Sequence, residues 1–416
     1  MINIIVILIF LLSIYISIKY KFIQFKSIKI AVKQLLNKNQ KSSYQTFMVA
    51  LASHIGTGNI VGISTAIIYG GAGSLFWMWI FAITTSIFSL IENTLAIRYN
   101  ELIDGELRGG SSYYIKKGLN KNLLAIILAI FLVLANTIFF QPLQVNTIVE
   151  TINLTFGIDK IIILCVMIIF TIIVIFGGTK KIVKFSEIIV PIMSVGYIIC
   201  SFYILYANIN NLPNALKLIL TEAFSIKPII GGGIGSTFII GAKRSLFSHE
   251  AGLGTMPTIS AMADVDKPVN QGHIQVLGVF FDTLVLCSLT GFMLLVNKYD
   301  ASQFSGCDLI LYVFEKSLGN IGKVIASFFL ITFALATVVS EYYLGESNLI
   351  FITKRKKNKI AISIYQTMFI IGIIIGAFFS TKEIFEIVDL GMVLMGVINI
   401  YAILKLRKDF EEELAK

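Results

Sequence analysis

Small and polar residues interrupt an apolar stretch near the start of the chain. The stretch from about Phe47 to Tyr69 is long enough to cross a bilayer as a helix, and Ser53–Gly62 lies at its centre. Glycine, threonine and asparagine favour breaks in helices, and a break inside a membrane exposes backbone groups that protein or a ligand must satisfy. A half-helix restarting near Asn59 directs N–H groups and its positive dipole end into the gap, which suits a carboxylate. Alternatively, these glycines mediate close helix packing.

A second apolar stretch is interrupted in a similar way. Gly231–Gly235 opens it and Ser248–Gly254 breaks it, with His249 and Glu250 beside glycines at membrane depth. Ionisable residues are costly in a membrane and indicate functional sites. The Ser-His pair of this break repeats the Ser-His pair at 53–54. Two interrupted spans at corresponding positions of two halves are typical of transporters with inverted repeats.

The composition is that of a polytopic membrane protein with one membrane domain. Of the 416 residues, 56% are hydrophobic and 14% charged, and the mean hydropathy is +0.85. The four cysteines show no CxxC or paired spacing, so neither a disulfide framework nor zinc is indicated. The net charge of +10 would suggest nucleic acid for a soluble protein. Here the distribution of basic residues explains it, and no nucleic-acid partner is expected.

About eleven spans are predicted, and the basic residues give their direction. Twenty-five lysines and arginines fall in one set of alternate connections and seven in the other. Basic connections stay in the cytoplasm, so we expect the N-terminus outside and the C-terminus inside a plasma or inner membrane. The first span lacks the features of a cleavable signal peptide. The predicted spans are 2–19, 44–69, 74–99, 123–150, 160–178, 182–207, 231–261, 273–296, 321–350, 360–380 and 384–404.

Four connections carry expectations of their own. The basic, partly apolar segment 18–41 is expected to lie along the cytoplasmic face in contact with lipid. The glycine-containing connection 101–122 is expected to be a re-entrant or surface loop. The connections 207–228 and 297–318 are expected to be the longest outer loops.

Enzyme motifs find little support. His249-Glu250 begins an HExxH metalloprotease motif, but position 253 is Leu253 where the second histidine is needed. Neither a P-loop nor a GxSxG motif occurs, so ATP-driven transport and serine hydrolysis are not indicated. No filter-like repeat indicates a channel. A non-transporting amino acid sensor remains an alternative, and flux measurements distinguish it from a transporter.

Taken together, motifs along nearly the whole chain resemble the alanine or glycine:cation symporter family of secondary transporters. The most telling are Gly-Thr-Gly-Asn-Ile-Val-Gly in the first break and Phe-Ser-His-Glu-Ala-Gly-Leu-Gly in the second. The matching stretches are Lys21–Phe25, Gly56–Gly62, Gly70–Trp79, Glu92–Tyr99, Gly109–Ile115, Gln144–Thr147, Gly177–Lys181, Leu246–Gly254, Phe281–Thr283 and Gly345–Glu346.

The resemblance implies the leucine-transporter-type fold, in which two inverted repeats of five helices surround a central site. It also implies Na⁺-coupled symport of a small neutral amino acid by alternating access, with Na⁺ as the coupling ion. The expected organisation is an accessory helix and basic segment (1–42), a first repeat (43–207), a second repeat (229–405) and a cytoplasmic tail (406–416). The oligomeric state is not predicted.

Site residues follow from the resemblance and from the dipole argument. The substrate carboxylate is expected at the backbone N–H groups of Thr57, Gly58 and Asn59. Na⁺ is expected at the carbonyls of Ile55 and Gly56 and the hydroxyl of Thr337. The remaining expected substrate contacts are Gln144, Phe247, Ser248, Ala251 and Gly252.

Several of these residues have a second interpretation. The alternative for Gln144 is a helix–helix hydrogen bond, and the alternative for Thr337 is a bond to its own helix alone. Glu250 is expected to cap a half-helix or to pair with Lys243 or Arg244. The charged residues near a cytoplasmic boundary are interpreted as a gate or a solvated face: Glu92, Arg98, Glu106 and Arg108.

The chain departs from the family pattern near the expected site. His249 stands where the family has asparagine, His54 replaces a small residue, and Glu341 replaces a nearby tryptophan. One hypothesis is that the three meet at the site and change substrate size or let protons share the coupling, since histidine titrates near pH 6.5. The other is that they are three independent polar substitutions that face protein or water. The alternatives are therefore a proton-coupled transporter, or a preference for glutamine or serine. Further departures are Ala336 beside Thr337, Ser111-Ser112, and Ile398 beside Asn399.

Overall fold

In a computed structural model, the chain is almost entirely helical. The structure describes residues 2–36, 41–103, 105–174, 179–224, 236–353 and 358–416. Gly231–Gly235, the first two residues of Gly177–Lys181, the expected start of the second repeat at 229 and the basic residues 354–357 lie outside the described residues. The helices are α1 (Ile2–Lys19), α2 (Gln24–Leu35), α3 (Lys41–His54), α4 (Val61–Gly70), α5 (Ser74–Arg98), α6 (Ser111–Gly118), α7 (Asn122–Leu134), α8 (Gln141–Phe156), α9 (Lys160–Val174), α10 (Thr179–Ala207), α11 (Leu212–Ala223), α12 (Ser236–His249), α13 (Met256–Ser260), α14 (Pro268–Val279), α15 (Ser288–Leu295), α16 (Cys307–Leu318), α17 (Asn320–Ile352), α18 (Lys359–Phe378), α19 (Thr381–Lys405) and α20 (Arg407–Ala415).

Short irregular segments join or interrupt these helices. A 3₁₀ turn (Thr57–Asn59) lies between α3 and α4, and two π-helical segments join α7 to α8 and α14 to α15. Such π segments inside longer helices are frequent at functional sites. The π segments are Ala135–Phe139 and Phe280–Cys287, the further 3₁₀ turns are Ile209–Asn211 and Ala301–Gln303, and the strands β1 (Glu101–Ile103) and β2 (Glu106–Arg108) form an antiparallel hairpin.

Many of the helices are long and apolar enough to cross a membrane. In the described part of the chain, eight continuous helices meet this criterion, and the pair Ser42–His54 and Thr57–Gly70 meets it together with a bend of 55°. The shorter Lys160–Ile173 is also apolar, and α12 and α13 are separated by the second break. The expected total of about eleven spans stays a prediction. The eight helices are Ile2–Lys19, Ser74–Arg98, Asn122–Phe156, Lys184–Ala207, Pro268–Leu295, Asn320–Ile352, Lys359–Phe378 and Thr381–Lys405.

The expected outer loops contain helices. The connection 207–228 includes α11, and 297–318 includes α16, which packs against α4, α8 and α17. A helix in a connection is hard to predict because tertiary packing on one face stabilises it more than intrinsic propensity does. The connection 101–122 is the β1–β2 hairpin followed by α6, and the residues at the start of α6 are buried.

Two groups of helices surround the breaks. In the first group, α5 packs against α12, α14 and α1, and α14 also packs against α2. In the second group, α17 packs against α7 and α8, and α18 packs against α8. The first broken span contacts both groups, since α3 touches α14 and α17 while α4 touches α12.

Polar residues turn inward and many large apolar residues turn outward. Along α9, side chains such as Ile161, Val166 and Ile169 are more than half exposed, and Ile192 and Ile199 of α10 are too. An apolar exposed surface around a polar interior is what a lipid environment stabilises. The protein is therefore a multi-pass membrane protein.

Candidate substrate and cation site

The two helix breaks begin at equivalent residues. Helix α3 ends at His54 and α12 ends at His249, so each Ser-His pair closes the first half of a broken span. After the first break the chain forms the 3₁₀ turn and α4. After the second, Glu250 takes a positive φ of 53° before α13 begins. The short sequence match thus coincides with a shared local structure.

Gly58 brings the two breaks into contact. A Cβ added to Gly58 would lie 3.1 Å from the Cα of Ser248 and 3.5 Å from the Cδ1 of Phe247. The ring of Phe247 is buried and makes edge contacts with Phe140 and Phe385 at centroid distances of 5.6 and 5.7 Å. A larger residue at position 58 would therefore push the second break away from the first.

Gln144 reaches the first break from α8. Both the backbone N–H and the hydroxyl of Thr57 donate to the Gln144 Oε1, at 3.3 and 2.9 Å. The backbone N–H of Gly56 donates to the Asn59 side-chain oxygen at 3.1 Å. The partner of Gln144 is thus the buried 3₁₀ turn of the first break, and contact of Gln144 with substrate stays a prediction.

Thr337 of α17 touches the same break. Its hydroxyl lies 3.1 Å from the carbonyl oxygens of both Ala52 and Phe333, so it bonds to the end of α3 as well as to its own helix. A Cβ on Gly56 would overlap the Thr337 hydroxyl. Ile55 is fully buried, and its N–H donates to the Leu51 carbonyl at 2.7 Å. The structure places Gly56 beside the Thr337 hydroxyl, and Na⁺ binding by the Ile55 and Gly56 carbonyls and Thr337 stays a prediction.

Asp282 joins the two breaks, and it was not among the predicted site residues. It lies in the π segment Phe280–Cys287 and is fully buried. The Asn59 amide donates to its carboxylate, the Ser248 hydroxyl donates to Oδ2 at 2.7 Å, and the Thr283 hydroxyl donates to Oδ2 at 2.8 Å. In the described chain, no salt bridge includes this carboxylate. An aspartate inside an apolar span is itself a signal of function, and that signal could have identified it.

The end of the second break is held by buried polar residues. The N–H of Gly252 donates to Glu92 Oε1 at 2.9 Å, and the Asn399 amide donates to Glu92 Oε2 at 2.7 Å and to the Gly252 carbonyl at 3.0 Å. The Tyr114 hydroxyl donates to Asn399, and the N–H of Ala251 donates to the His249 ring at 3.0 Å. Glu92 is therefore part of a buried network, and the solvated-face interpretation is wrong for it.

His54, His249 and Glu341 are all buried around the breaks but have different surroundings. The His249 Nε2 lies 3.3 Å from the Thr85 hydroxyl of α5. A Cβ on Gly278 of α14 would lie 3.5 Å from the His54 Nδ1, and neither nitrogen of His54 has a hydrogen-bond partner in the described chain. Glu341 lies beside Gln144. The histidines face α5 and α14, whereas Glu341 approaches from α17.

Glu250 does not pair with Lys243 or Arg244, so that part of the expectation is wrong, and capping of a half-helix by Glu250 stays a prediction. Both cations bind Asp389 of α19: the Lys243 Nζ lies 3.1 Å from Oδ2, and Arg244 donates to Oδ1. One turn or more of helix separates them from Glu250, and the nearer carboxylate on α19 takes both.

The other charged residues predicted near the cytoplasmic boundary form ion pairs. Arg98 binds Glu412 and Glu413 of α20 at 2.6 and 3.0 Å. Arg108 binds Glu106 at 2.7 Å within the hairpin. Arg98 therefore attaches the C-terminal helix to α5.

Comparison with known proteins decides the family. The sequence model of the sodium:alanine symporter family matches residues 1–416. The chain belongs to this family. It is accordingly a membrane transporter and not an enzyme.

Relatives in the sodium:alanine symporter family match most of the chain. Amino-acid carrier protein AlsT of Bacillus subtilis (strain 168) is 35% identical over 397 residues, covering 94% of this chain and 84% of that protein. The probable sodium/glutamine symporter GlnT of the same organism is 35% identical, with coverages of 98% and 86%. Sodium/alanine symporter AgcS of Methanococcus maripaludis is 33% identical, with coverages of 95% and 89%.

Solved structures of other transporters share the fold. A manganese transporter of Eremococcus coleocola superposes with a TM-score of 0.56 at 12% identity, covering 87% of this chain and 78% of that chain. A Na⁺-coupled sialic acid symporter in an outward-open state superposes with a TM-score of 0.50 at 11% identity, with coverages of 96% and 82%. At such identities the likeness concerns the fold alone, which is the leucine-transporter-like fold.

Proposed function

We propose that the protein imports a small neutral amino acid, alanine or glycine, by symport with Na⁺ and alternating access around the two breaks. Membership of the sodium:alanine symporter family supports the proposal. The observation that carries it is the Asp282 carboxylate, which receives hydrogen bonds from Asn59 of the first break and Ser248 of the second. A group that holds both breaks is well placed to link ion binding to substrate binding.

The negative charge of the buried Asp282 carboxylate supports a bound cation. A buried carboxylate without a cationic partner is costly at membrane depth, so a bound cation stabilises the arrangement around Asp282. The hydroxyls of Ser248 and Thr283 bond to the same carboxylate oxygen, and hard cations such as Na⁺ prefer oxygen ligands. The Thr337 hydroxyl, which lies beside Gly56, would supply a second oxygen set together with the carbonyls of Ile55 and Gly56.

The argument for the substrate rests on the first break. The N–H groups at the start of the 3₁₀ turn Thr57–Asn59 have no partner within that turn, and Gln144 Oε1 accepts from Thr57. A substrate carboxylate would replace this neutral oxygen with a charged one, and such hydrogen bonds are roughly twice as strong. Phe247, Ser248, Ala251 and Gly252 would border the substrate from the second break, with the network around Glu92 holding Gly252 in place.

The organisation that accompanies this function is one N-terminal helix followed by two inverted repeats of five. The equivalent ends of α3 and α12 support it, because each is the first helix of a proposed repeat. The proposed parts are 1–42, 43–207, 229–405 and 406–416, with the N-terminus outside and the C-terminus in the cytoplasm.

Proton coupling or another substrate is the second candidate. The carboxyl groups of Glu250 and Glu341 are also buried near the breaks, and in such surroundings a carboxyl group is neutralised by a proton or by a cation. Among the relatives, one is named a probable sodium/glutamine symporter and another a putative sodium/proton-dependent alanine carrier. His54, His249 and Glu341 are the proposed determinants of this difference.

Uptake into proteoliposomes tests the proposal. Labelled alanine should accumulate under an inward Na⁺ gradient and be competed by glycine more strongly than by glutamine. If a pH gradient drives accumulation and a Na⁺ gradient does not, the protein is proton-coupled. Binding without accumulation under either gradient would identify a sensor instead. If glutamine or serine competes more strongly than glycine, the protein prefers one of those amino acids. Replacing His54, His249 and Glu341 should then restore the preference for glycine.

A further inference from the structure

Two buried glutamines of α14 receive no hydrogen bonds from the protein. Gln271 and Gln275 are fully buried, and neither the nitrogen nor the oxygen of either side-chain amide has a partner within the described chain. Buried polar groups are nearly always hydrogen-bonded, because an unpaired one loses its hydration without compensation. Internal water molecules commonly bond to polar groups that the protein leaves unpaired. These two amides therefore indicate internal water along α14.

The two glutamines lie on the same face of their helix as Asp282. Gln271, Gln275, Gly278 and Asp282 follow one another at spacings of four, three and four residues, which is the repeat of one helical face. Gly278 faces His54 of α3, since a Cβ on Gly278 would lie 3.5 Å from the His54 Nδ1. We call Gln271, Gln275, His54 and Asp282 the polar row. It leads from the start of α14 to the carboxylate that joins the two breaks.

The polar row faces α3, because other helices pack on the remaining faces of α14. The Nδ1 of His273 lies 2.7 Å from the Ser27 hydroxyl of α2, and α5 packs along α14 as well. Gly278 instead lies against Phe47 and His54, which both belong to α3. The row therefore lies at the interface of α3 and α14, where both nitrogens of His54 also lack a partner in the described residues.

The spacing of the polar row suits a single file of water. Gln271 and Asp282 are eleven residues apart, which is about 16 Å along a helix and about half the thickness of a hydrocarbon core. Neighbouring positions of the row are about 5–6 Å apart, and one water molecule bridges such a gap with two hydrogen bonds of about 2.8 Å. Amide oxygens and water are also ligands that hard cations accept. Such a row suits a small cation, and it is too narrow for an amino acid.

The row begins at the end of the molecule that carries the C-terminal tail. The Nζ of Lys267, one residue before α14, donates to the Lys416 carbonyl oxygen at 2.6 Å. The start of α3 is close to the same connection, since the Ser42 hydroxyl accepts a hydrogen bond from the Asp264 N–H at 2.9 Å. In the proposed orientation this end of the molecule is cytoplasmic.

We propose that the polar row is a hydrated exit by which the coupling cation moves between Asp282 and the cytoplasm. This inference rests on the proposed function, because it takes Na⁺ to bind at Asp282. The cation would leave along the interface of α3 and α14, apart from the amino acid. Gln271 and Gln275 hold the water of this route and do not bind the substrate.

Access of Ag⁺ to Cys287 tests the proposal. This buried thiol lies beside the inner end of the row, because its Sγ is 3.3 Å from the Ser248 hydroxyl that donates to Asp282. Ag⁺ is a small monovalent cation that binds thiols, which are soft ligands. A chain that keeps Cys287 and lacks the other three cysteines is exposed to Ag⁺ at the cytoplasmic face of inside-out vesicles. The thiols that stay free are then counted with a maleimide after unfolding.

We expect Ag⁺ to reach Cys287, and we expect Gln275→Leu to slow the reaction about tenfold, as the loss of roughly one hydrogen bond to the water of the route implies. Gln271→Leu repeats the comparison one helical turn away. Ile274→Leu is the matched control, because it changes an equally buried side chain of α14 off the row and keeps its volume. If Cys287 does not react, or if both glutamine variants react at the rate of the control, the proposal is overturned.

Equilibrium binding separates a route from a structural role. A group that only lines a route changes rates and leaves equilibrium constants as they are, so Gln275→Leu should bind alanine with the Na⁺ dependence of the wild type. A raised half-saturating Na⁺ concentration would make Gln275 a cation ligand, and a lower melting temperature would make it a structural residue. Either result contradicts an exit route.

The Ag⁺ assay requires neither Na⁺ nor alanine, so its failure and the failure of the proposed function can be told apart. Absence of Na⁺-driven uptake by the wild-type protein would refute the proposed function. The Ag⁺ rates would still decide whether a cation reaches the surroundings of Asp282 along α14.

Discussion

The two helix breaks look alike in sequence and differ in what surrounds them. The first break meets uncharged polar groups of α8 and α17, namely Gln144 and Thr337. The second break ends in a buried network that includes Glu92 and Asn399, and that network uses its backbone groups. The Asp282 carboxylate bonds to both breaks, and the neighbouring Cys287 thiol contacts the same two side chains, Asn59 and Ser248. The first break thus retains groups that a ligand can use, whereas much of the second is already bonded to the protein.

This difference indicates that the first break binds ligands and that the end of the second break stabilises the fold. A backbone amide bonded to a neutral oxygen can exchange that partner for a substrate carboxylate at little cost, since one hydrogen bond replaces another. A carbonyl and an amide held by a buried glutamate and asparagine can exchange partners only by disrupting several bonds together. We therefore expect changes at the first break to alter transport and changes at the end of the second to alter stability.

The largest effect is expected from Gly56→Val. A Cβ at Gly56 would overlap the Thr337 hydroxyl, and overpacking of this kind costs about 1–3 kcal/mol. Uptake should fall by roughly 5-fold to 150-fold, which is the factor that such an energy represents. Gly62→Ala is the matched control, because the nearest atom to its added Cβ is 3.9 Å away. Initial rates of Na⁺-driven alanine uptake compare the two, and equal losses would mean that the first break has no special role.

The next effect concerns two threonines of the same helix. Both Thr337 and Thr332 bond to a carbonyl four residues earlier, but Thr337 also bonds to Ala52 at the end of α3. Thr337→Val should raise the half-saturating Na⁺ concentration about tenfold, as the loss of roughly one hydrogen bond to the site implies. Thr332→Val should leave it unchanged. If the two variants respond alike, Thr337 serves its own helix alone.

Asn399→Leu should act on stability more than on selectivity. It removes the bonds to Glu92 and Gly252 and should lower the free energy of unfolding by about 1–2 kcal/mol. Thermal unfolding in detergent measures this, with the exposed Asn214→Leu on α11 as control. The ranking of competing amino acids should stay the same. A changed ranking with unchanged stability would assign a substrate role to the second break.

The smallest effect is expected at the C-terminal helix. The Glu411 carboxylate of α20 accepts hydrogen bonds from Lys19 and Tyr20, both at 2.8 Å, and the bond from Lys19 is the main reason that its pKa lies below the usual 4.5. A lowered pKa stabilises the fold above the unfolded value and loses that effect as the pH falls through the folded value. Glu411→Gln should lower the melting temperature slightly at pH 7, by less than about 1 kcal/mol in stability. The difference from wild type should shrink below pH 4.5, and a difference that grows would contradict this.

The parts predicted well from sequence have local causes. The break after His54 follows from glycine, threonine and asparagine within a few residues, and those residues act on their own backbone. The positions of the long helices follow from apolar length. The family was recognised from motifs spread along the chain, and the family comparison confirms it.

The features that could not be predicted from the sequence depend on contacts between residues far apart along the chain. Arg244 pairs with Asp389, which lies 145 positions away in the sequence. The expectation for Glu250 was wrong because it assumed that Arg244 pairs with an acidic residue nearby in the sequence. Helices α11 and α16 are stabilised by packing on other helices, which composition does not reveal. Asp282 was visible as an intramembrane aspartate, but its link to both breaks requires the fold.

The most direct test of the account is Na⁺-dependent alanine binding to purified wild-type protein and Asp282→Asn. Asp266→Asn, an exposed change in the connection before α14, serves as the control. The account predicts that Na⁺ strengthens alanine binding to the wild type and to the control, and that Asp282→Asn loses most of this effect. If Asp282→Asn binds alanine with the same Na⁺ dependence as the wild type, the carboxylate that joins the two breaks does not couple the ion to the substrate.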